Sequence, residues 1–293
     1  MIPFELSEPS TFAEAVGLLD PEDPTMRPIS GGTALMLMMK AGVFHPSHLV
    51  SLRGVEQKYA DIAVSGDGAL EAGALVRLAT LENNGDVRRH FPILADTLNI
   101  LSNRRVRNVA TVGGNLAHGD PHMDLPPVLM ALDASVEATG PNGSRAIPIG
   151  ELFTGYYETS LSPDELISGL SVPAQAGRVS AYVKCTTRSA HDWPALGVAV
   201  SLDIAGGTVR DARVVVSAAT ETPTRMADAE TALASATPGE DAFRAAGEAA
   251  AAVAEVISDV RGSAPYKKQL IRVNVARALA KAVATTQSEA VKS

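Results

Sequence analysis

Two pairs of adjacent glycines constrain this sequence more than any other feature: Gly31-Gly32 within Ser30-Gly31-Gly32-Thr33, and Gly113-Gly114 within Thr111-Val112-Gly113-Gly114-Asn115. Without a Cβ, a glycine can take a positive φ and let another group approach the main chain. The first pair follows a short apolar stretch, Pro28-Ile29-Ser30, suited to a strand. It precedes Ala34 to Lys40, a helix-forming run that Thr33 can cap. The second pair is introduced by Arg104-Arg105-Val106-Arg107. Taken singly, each pair is a tight turn. Taken together they read as two halves of one phosphate-binding site, with backbone N–H donors arriving from two directions and Thr33, Thr111 and Asn115 adding side-chain donors. On that reading a side chain at Gly32 or Gly113 would enter the phosphate space. Neither pair fits Gly-x-Gly-x-x-Gly on a strand–helix turn or Gly-Lys-Ser/Thr, so Rossmann and P-loop folds are not supported.

A chain of 293 residues exceeds one average domain, and two or three compact units are expected. Lys plus Arg number 25 against 33 Asp plus Glu, which argues against a surface built to hold nucleic acid or anionic lipid. The single cysteine, Cys185, can form no internal disulfide and cannot alone hold zinc or an iron–sulfur cluster. These points suggest the cytoplasm. Met1 to Leu6 lacks a signal-peptide pattern, and no apolar run is long enough to span a bilayer.

Along the chain, Ser10-Thr11 before Glu14 marks a helix start. Strand, glycine pair, helix and His48-Leu49-Val50-Ser51-Leu52 then form a small β-α-β unit, residues 1–57. A second unit, 58–175, opens with the hairpin Asp61–Val64 and Ala69–Gly73 around Ser65-Gly66-Asp67-Gly68. Helices follow Thr80 and run from Pro92 to about Leu101. After the second glycine loop, a helix through Pro126–Leu132 places Asp124 near its N-terminus. Ser135–Ala138, Ser144–Pro148 and Glu165–Val172 are expected to complete a mixed sheet. Ala174–Gly177 reads as a linker to a third unit, 176–293. There the strands Val179–Lys184, Leu196–Leu202 and Val209–Val216, the last two joined by Ala205-Gly206-Gly207-Thr208, precede alanine-rich helices broken at Thr237-Pro238-Gly239 and Gly262-Ser263.

His118-x-Asp120-x-His122-x-Asp124 puts four possible ligands on alternate positions, but Gly119 and Pro121 break a regular strand. A loop touching a hydroxylated ligand is the preferred reading, and no metal site is assigned. Lys184 interrupts an apolar strand, either as a cationic partner for a ligand or as a snorkelling edge lysine. Trp193, the only tryptophan, lies between Asp192 and Pro194, suited either to the core or to covering a planar ring. No nucleophile–base set or paired carboxylates are visible. No catalytic residue is assigned, and that absence favours a cofactor that carries the reaction.

Pro28–Leu35, Val106–Leu116, and Asp120-Pro121 with Asp124 resemble the FAD-binding medium subunit of molybdenum hydroxylases, the flavoproteins of the carbon monoxide dehydrogenase and xanthine dehydrogenase family. Glu165–Pro173, Tyr182-Val183-Lys184 and Arg261 to Ala278 are similar to its C-terminal part. The resemblance implies an α+β fold: a two-part FAD-binding domain of the vanillyl-alcohol-oxidase (PCMH) type, then a C-terminal domain with an antiparallel sheet and a helical bundle. It implies FAD held at Ser30, Gly31, Gly32, Thr33, Ala34 and Leu35 and at Thr111, Val112, Gly113, Gly114 and Asn115. Asp120 and Asp124 would contact FAD, Ile167 would offer a backbone contact, Lys184 would lie near the flavin, and Trp193 would pack on its ring. His118 and His122 depart from the family pattern. The partners implied are a small subunit with two [2Fe-2S] clusters and a large molybdopterin subunit, as a dimer of heterotrimers. No membrane span is expected, so membrane contact would come only through those partners. The chain would then pass electrons through FAD to an external acceptor. The alternative is a stand-alone FAD-binding protein or oxidase.

Overall fold

The structure, a computed structural model, describes residues 2–290, and side chains through residue 284. The first part is a parallel sheet of β1 (Glu5–Ser7), β2 (Arg27–Ile29) and β3 (His48–Ser51) in the order β1-β3-β2. Helix α1 (Phe12–Gly17) starts at Thr11, whose hydroxyl accepts from Glu14 N at 3.1 Å. Phe12, Ala15 and Val16 pack with Val50 and Leu52. Between β2 and β3 runs α2 (Leu35–Lys40), giving the expected β-α-β unit. Its N-cap is Ala34 and Thr33 makes no capping bond, contrary to the sequence expectation.

The central sheet follows the order β4-β5-β10-β6-β7 with β4 (Ile62–Val64), β5 (Leu70–Gly73), β6 (Ser135–Gly140), β7 (Gly143–Pro148) and β10 (Leu166–Val172). Two hairpins, β4–β5 and β6–β7, flank β10, which runs antiparallel to both of its neighbours. The sheet is therefore wholly antiparallel, which corrects the expected mixed sheet. Over it lie α3 (Leu78–Asn83), α4 (Gly85–His90), α5 (Pro92–Ile100), α6 (Arg104–Arg107), α7 (Val112–Ala117) and α8 (Leu125–Ala131) around a core that includes Leu78, Phe91, Leu94, Leu98, Leu116 and Leu129. The one-turn helix α9 (Ile149–Leu152) and the ribbon β8 (Phe153–Gly155) with β9 (Glu158–Thr159) present Tyr156 and Tyr157 at the turn.

The C-terminal sheet, β11 (Arg178–Cys185), β12 (Leu196–Ala205), β13 (Thr208–Ser217) and β14 (Thr224–Arg225), is antiparallel. Gly206 and Gly207 take φ of 61° and 79°, the pair of positive values a two-residue hairpin of this twist needs. Alternation along each strand assigns two faces. Leu196, Val198, Val200, Leu202, Val214 and Val216 meet α10 (Ala227–Leu233), α11 (Glu240–Val253) and α12 (Ala264–Ala290). Tyr182, Ala199 and Val215 face the core around α8. Buried on both sides, β12 can therefore read as a nearly continuous apolar run.

That alternation also places Tyr182 and Lys184 on the face toward α8. Tyr182 Oη donates to Asp124 Oδ1 at 2.7 Å, and Lys184 Nζ lies 2.8 Å from Asp124 Oδ2 and 3.2 Å from Ile100 O. Gly197 leaves room, since a Cβ there would sit 2.7 Å from Tyr182 Oη. Removing one partner of a buried ion pair costs about 3–5 kcal/mol because the other charge is left uncompensated. Lys184→Met should therefore destabilise the chain by about that much, and adding Asp124→Asn should restore most of it. Urea denaturation of the full chain checks this; equal midpoints for wild type and Lys184→Met would show that the pair contributes nothing.

Candidate functional site

The two glycine pairs meet. Ser30 Oγ and Thr111 Oγ1, 81 positions apart in sequence, are 2.9 Å from each other. A Cβ on Gly31 would lie 2.3 Å from Val109 O, and one on Gly114 would lie 2.7 Å from Ser30 Oγ and 2.9 Å from Thr111 Oγ1. Gly31 tolerates no side chain while the two segments stay together, and a side chain at Gly114 would displace the two hydroxyls. Gly32 adopts φ +68°, the one member of the four with a left-handed backbone.

Gly113 and Gly114 are not a loop, as the sequence suggested, but the first turn of α7, capped by Thr111, whose hydroxyl accepts from Gly114 N at 3.2 Å. Val112 N donates to Val76 O and Gly113 N to Ala74 O, while Asn115 N bonds Thr111 O. This start of the helix is stitched to the segment after β5, and a Cβ on Gly113 would strike Ala74 Cβ at 2.7 Å. A side chain there would invade the core and not ligand space, and one at Gly32 would meet Ile29 Cδ1 at 2.9 Å. Both corrections follow from which way the missing Cβ points. Open donors come from the other segment: among the described residues, the N–H groups of Gly31, Gly32, Thr33 and Ala34 bond no acceptor of the chain. Leu35 begins α2 beside them. Asn115 adds a buried Oδ1 with no partner and an amide nitrogen whose partner is the Met123 sulfur at 3.3 Å.

Arg107 turns inward, bonding Glu82 at 2.8 Å and the carbonyls of Leu101 and Ser102 at 3.2 and 2.8 Å. It braces the approach to α7, while Arg104 and Arg105 are exposed. Ile167 is buried on β10 at a register shift. The adjoining Ser168 carbonyl accepts from Ala74 N at 3.0 Å, so this strand lies against the segment that anchors α7.

The segment after α7 divides its polar groups. Asp120 Oδ1 accepts from His122 N and pairs with His122 Nδ1, each at 2.9 Å, while its Oδ2 is buried and unpartnered. Burial pushes the Asp120 carboxyl up, but the His122 bonds outweigh this and hold it below its ordinary value. Asp124 turns the other way, to Tyr182 and Lys184. Burial raises its carboxyl against the opposing pull of Lys184, and burial beside Asp124 raises the Tyr182 phenol. His118 meets the Tyr157 ring edge-on at 5.2 Å, and burial lowers its imidazole. Among the described residues no three His, Cys, Asp or Glu side chains are grouped to hold a metal ion. Cys185 is half-buried and its thiol is pushed up by burial.

Trp193 is 51 % exposed, in the loop between β11 and β12. The Arg261 guanidinium lies 5.4 Å from its ring centre and the His122 ring 6.2 Å from it. Two contacts of these residues are absent from the sequence reading. Tyr182 as partner of Asp124 had a usable signal, sharing a strand face with Lys184 two residues on. Asp259 and Arg261, which meet His122 across 137 and 139 positions, had none.

Residues 2–175 match the FAD binding domain in molybdopterin dehydrogenase, and residues 181–282 match the CO dehydrogenase flavoprotein C-terminal domain. The chain is 33% identical over 288 residues to the carbon monoxide dehydrogenase medium chain of Hydrogenophaga pseudoflava, covering 95% of this chain and 97% of that one. It is 32% identical to the nicotine 6-hydroxylase medium subunit of Paenarthrobacter nicotinovorans, covering 96% and 97%. The solved carbon monoxide dehydrogenase of Hydrogenophaga pseudoflava that lacks the Mo-pyranopterin moiety superposes with TM-score 0.92 at 35% identity, covering 97% of this chain and 99% of that chain. Quinoline 2-oxidoreductase of Pseudomonas putida 86 gives 0.89 at 27% identity, covering 96% and 97%. Matched along nearly its whole length, with both glycine segments inside the matched FAD-binding region, the chain belongs to the FAD-binding medium-subunit family of the molybdenum hydroxylases.

Proposed function

We propose that this chain is the electron-transfer flavoprotein subunit of a molybdenum hydroxylase, joined by a small subunit with two [2Fe-2S] clusters and a large molybdopterin subunit as a dimer of heterotrimers. FAD, when bound, supplies the redox chemistry that links the partner's clusters to an external acceptor. The relatives' descriptions as medium chains and medium subunits favour this over a stand-alone flavoprotein or oxidase. With no helix among the described residues long and apolar enough to cross a membrane, and a single cysteine, we place the complex in the cytoplasm, with any membrane contact made through its partners.

One observation carries the reading: free main-chain donors on Gly31–Ala34 beside the hydroxyls of Ser30 and Thr111, on two segments that glycine lets meet. These groups suit a pyrophosphate, which asks for several N–H and O–H donors. Asn115 would add its amide to them, and Leu35 would close the cradle at the first turn of α2. Val112, Gly113 and Gly114 hold its second wall. The free Asp120 Oδ2 would accept from a ligand hydroxyl, and the Ile167 backbone would line the approach. Asp124 and Lys184 neutralise each other, so they would shape the ring's surroundings as a fixed dipole. The half-exposed Trp193 would cover the ring.

Thr111→Val removes one donor at nearly constant shape and should weaken FAD binding about tenfold. Flavin titration of the full chain measures it, and undiminished affinity would place the pyrophosphate elsewhere. Gly31→Ala should separate the two segments and abolish FAD retention, with retention at the wild-type level refuting their role. Isolated from its native host, the chain should come with molybdenum, iron and flavin in one complex; a single species lacking molybdenum and iron would overturn the subunit assignment.

A further inference from the structure

His122 is 6 % exposed, and both ring nitrogens are in use. Nδ1 faces Asp120 Oδ1 at 2.9 Å. A carboxylate only accepts, so this contact puts the ring proton on Nδ1 and leaves Nε2 with a lone pair in the neutral ring. Nε2 lies 3.3 Å from Arg261 Nη1, a group that only donates, and 3.5 Å from Asp259 Oδ2. In that neutral form Nε2 accepts from Arg261 Nη1, and Asp259 Oδ2, which faces both Nε2 and the guanidinium at 3.5 and 3.6 Å, completes the group.

Arg261 is in turn located by its own turn. Its N–H donates to Asp259 Oδ1 at 2.8 Å, and the same oxygen takes Lys267 Nζ at 3.0 Å. Lys267 is fully buried and also donates to Ala218 O. The guanidinium thus oriented stands over the Trp193 ring. Trp193 sits in a segment tied by Asp192 N to Ser189 O and Ala195 N to Cys185 O, bonds that lie within or at the base of its own loop. Among the described residues, the ring and cation contacts of its indole are with Arg261 and His122.

We propose that His122 is a positioning residue: acting through Arg261, it fixes the Trp193 indole at the mouth of the cofactor site and so sets how an external electron acceptor reaches the reduced flavin. The last step rests on the reading of the chain as an electron-transfer flavoprotein, while the link from His122 to Trp193 does not.

Because Trp193 is the only tryptophan, fluorescence of the full chain without FAD, excited at the red edge where tyrosine does not absorb, reports on it alone. His122→Ala should raise acrylamide quenching about twofold and red-shift emission, as loss of an oriented cation over the ring frees the indole. His122→Gln can still present an acceptor at the Nε2 position and should stay near wild type. His122→Asn reaches only the Asp120 side and should behave like Ala. Arg261→Ala should reproduce the effect, with no further change when combined with His122→Ala. Unchanged quenching in His122→Ala, equal rescue by Asn and Gln, or additive effects of His122→Ala and Arg261→Ala would each overturn the linkage.

In the FAD-loaded chain, reduced with dithionite and mixed with benzoquinone, the half-saturating quinone concentration should change about fivefold in His122→Ala and not in His122→Gln. No change, with the fluorescence effect present, would overturn the acceptor step alone. A wild-type chain that takes up no FAD would refute the flavoprotein reading and leave the fluorescence result standing.

Discussion

The contact on which the site depends is the approach of the Ser30-Gly31 backbone to Val109 and Ala110. A Cβ at Gly31 would lie 2.3 Å from one carbonyl oxygen and 2.8 Å from the Ala110 Cα, so the two segments touch main chain to main chain. This contact docks the small parallel sheet onto the central antiparallel one. It also brings the Ser30 and Thr111 hydroxyls within hydrogen-bond distance. Once it forms, the geometry of the cradle is set by backbone and not by mobile side chains. Donors of this kind lose little conformational entropy when a ligand arrives.

The second constraint lies in the segment from Gly119 to Asp124, to which the C-terminal part attaches. Pro121 O accepts from Ala218 N at 3.1 Å, in a residue held at φ +64°. A non-glycine residue in that region is costly and persists only where its surroundings over-determine it. Here Pro121 holds its N–H and Lys267 its carbonyl. On either side stand two polar groups, Asp124 with Tyr182 and Lys184, and Asp120 with His122, Asp259 and Arg261. Leaving one member of such a buried group unpaired is costly. Two of them around one short segment tie it to the C-terminal sheet and to the turn at Asp259–Arg261.

What could be read in the sequence follows the range of the forces involved. Local signals held: the Thr11 cap, the Ser65–Gly68 turn, the Gly206-Gly207 hairpin and the helix break at Pro238 all act within a few residues, whereas α11 stops at Val253, well before the break expected at Gly262. The glycine pairs were legible as places of close approach, though not in detail. Gly113 reads as a loop glycine because a sequence does not show that Ala74 fills the space where its Cβ would be. Thr33 reads as a cap, yet Ala34 takes that position and leaves the N–H groups before it open. The strand directions of the central sheet depend on β10 inserting between two hairpins, a pairing with no local mark. The same holds for Arg261, whose role depends on a histidine far away in the chain.

The distribution of buried polar groups also explains why so little reactive chemistry is visible. Asp120, His122, Asp124, Tyr182, Lys184 and Lys267 are all buried or nearly so, and each bonds another protein group. None is left as a free nucleophile or base, and Asp124 and Lys184, the pair most able to act as one, cancel each other at 2.8 Å. Among the buried polar atoms left without a partner, Asn115 Oδ1 lies in α7 and Asp120 Oδ2 just after it, while others, on Thr97, Ser160, Gln175 and Ser217, lie elsewhere in the chain. A segment that devotes most of its buried polar atoms to fixing one another, and leaves acceptors open at Asn115 and Asp120, is organised to hold a cofactor still. On the proposed function, substrate choice falls to the molybdenum partner, and this chain's own contribution lies around the half-exposed Trp193.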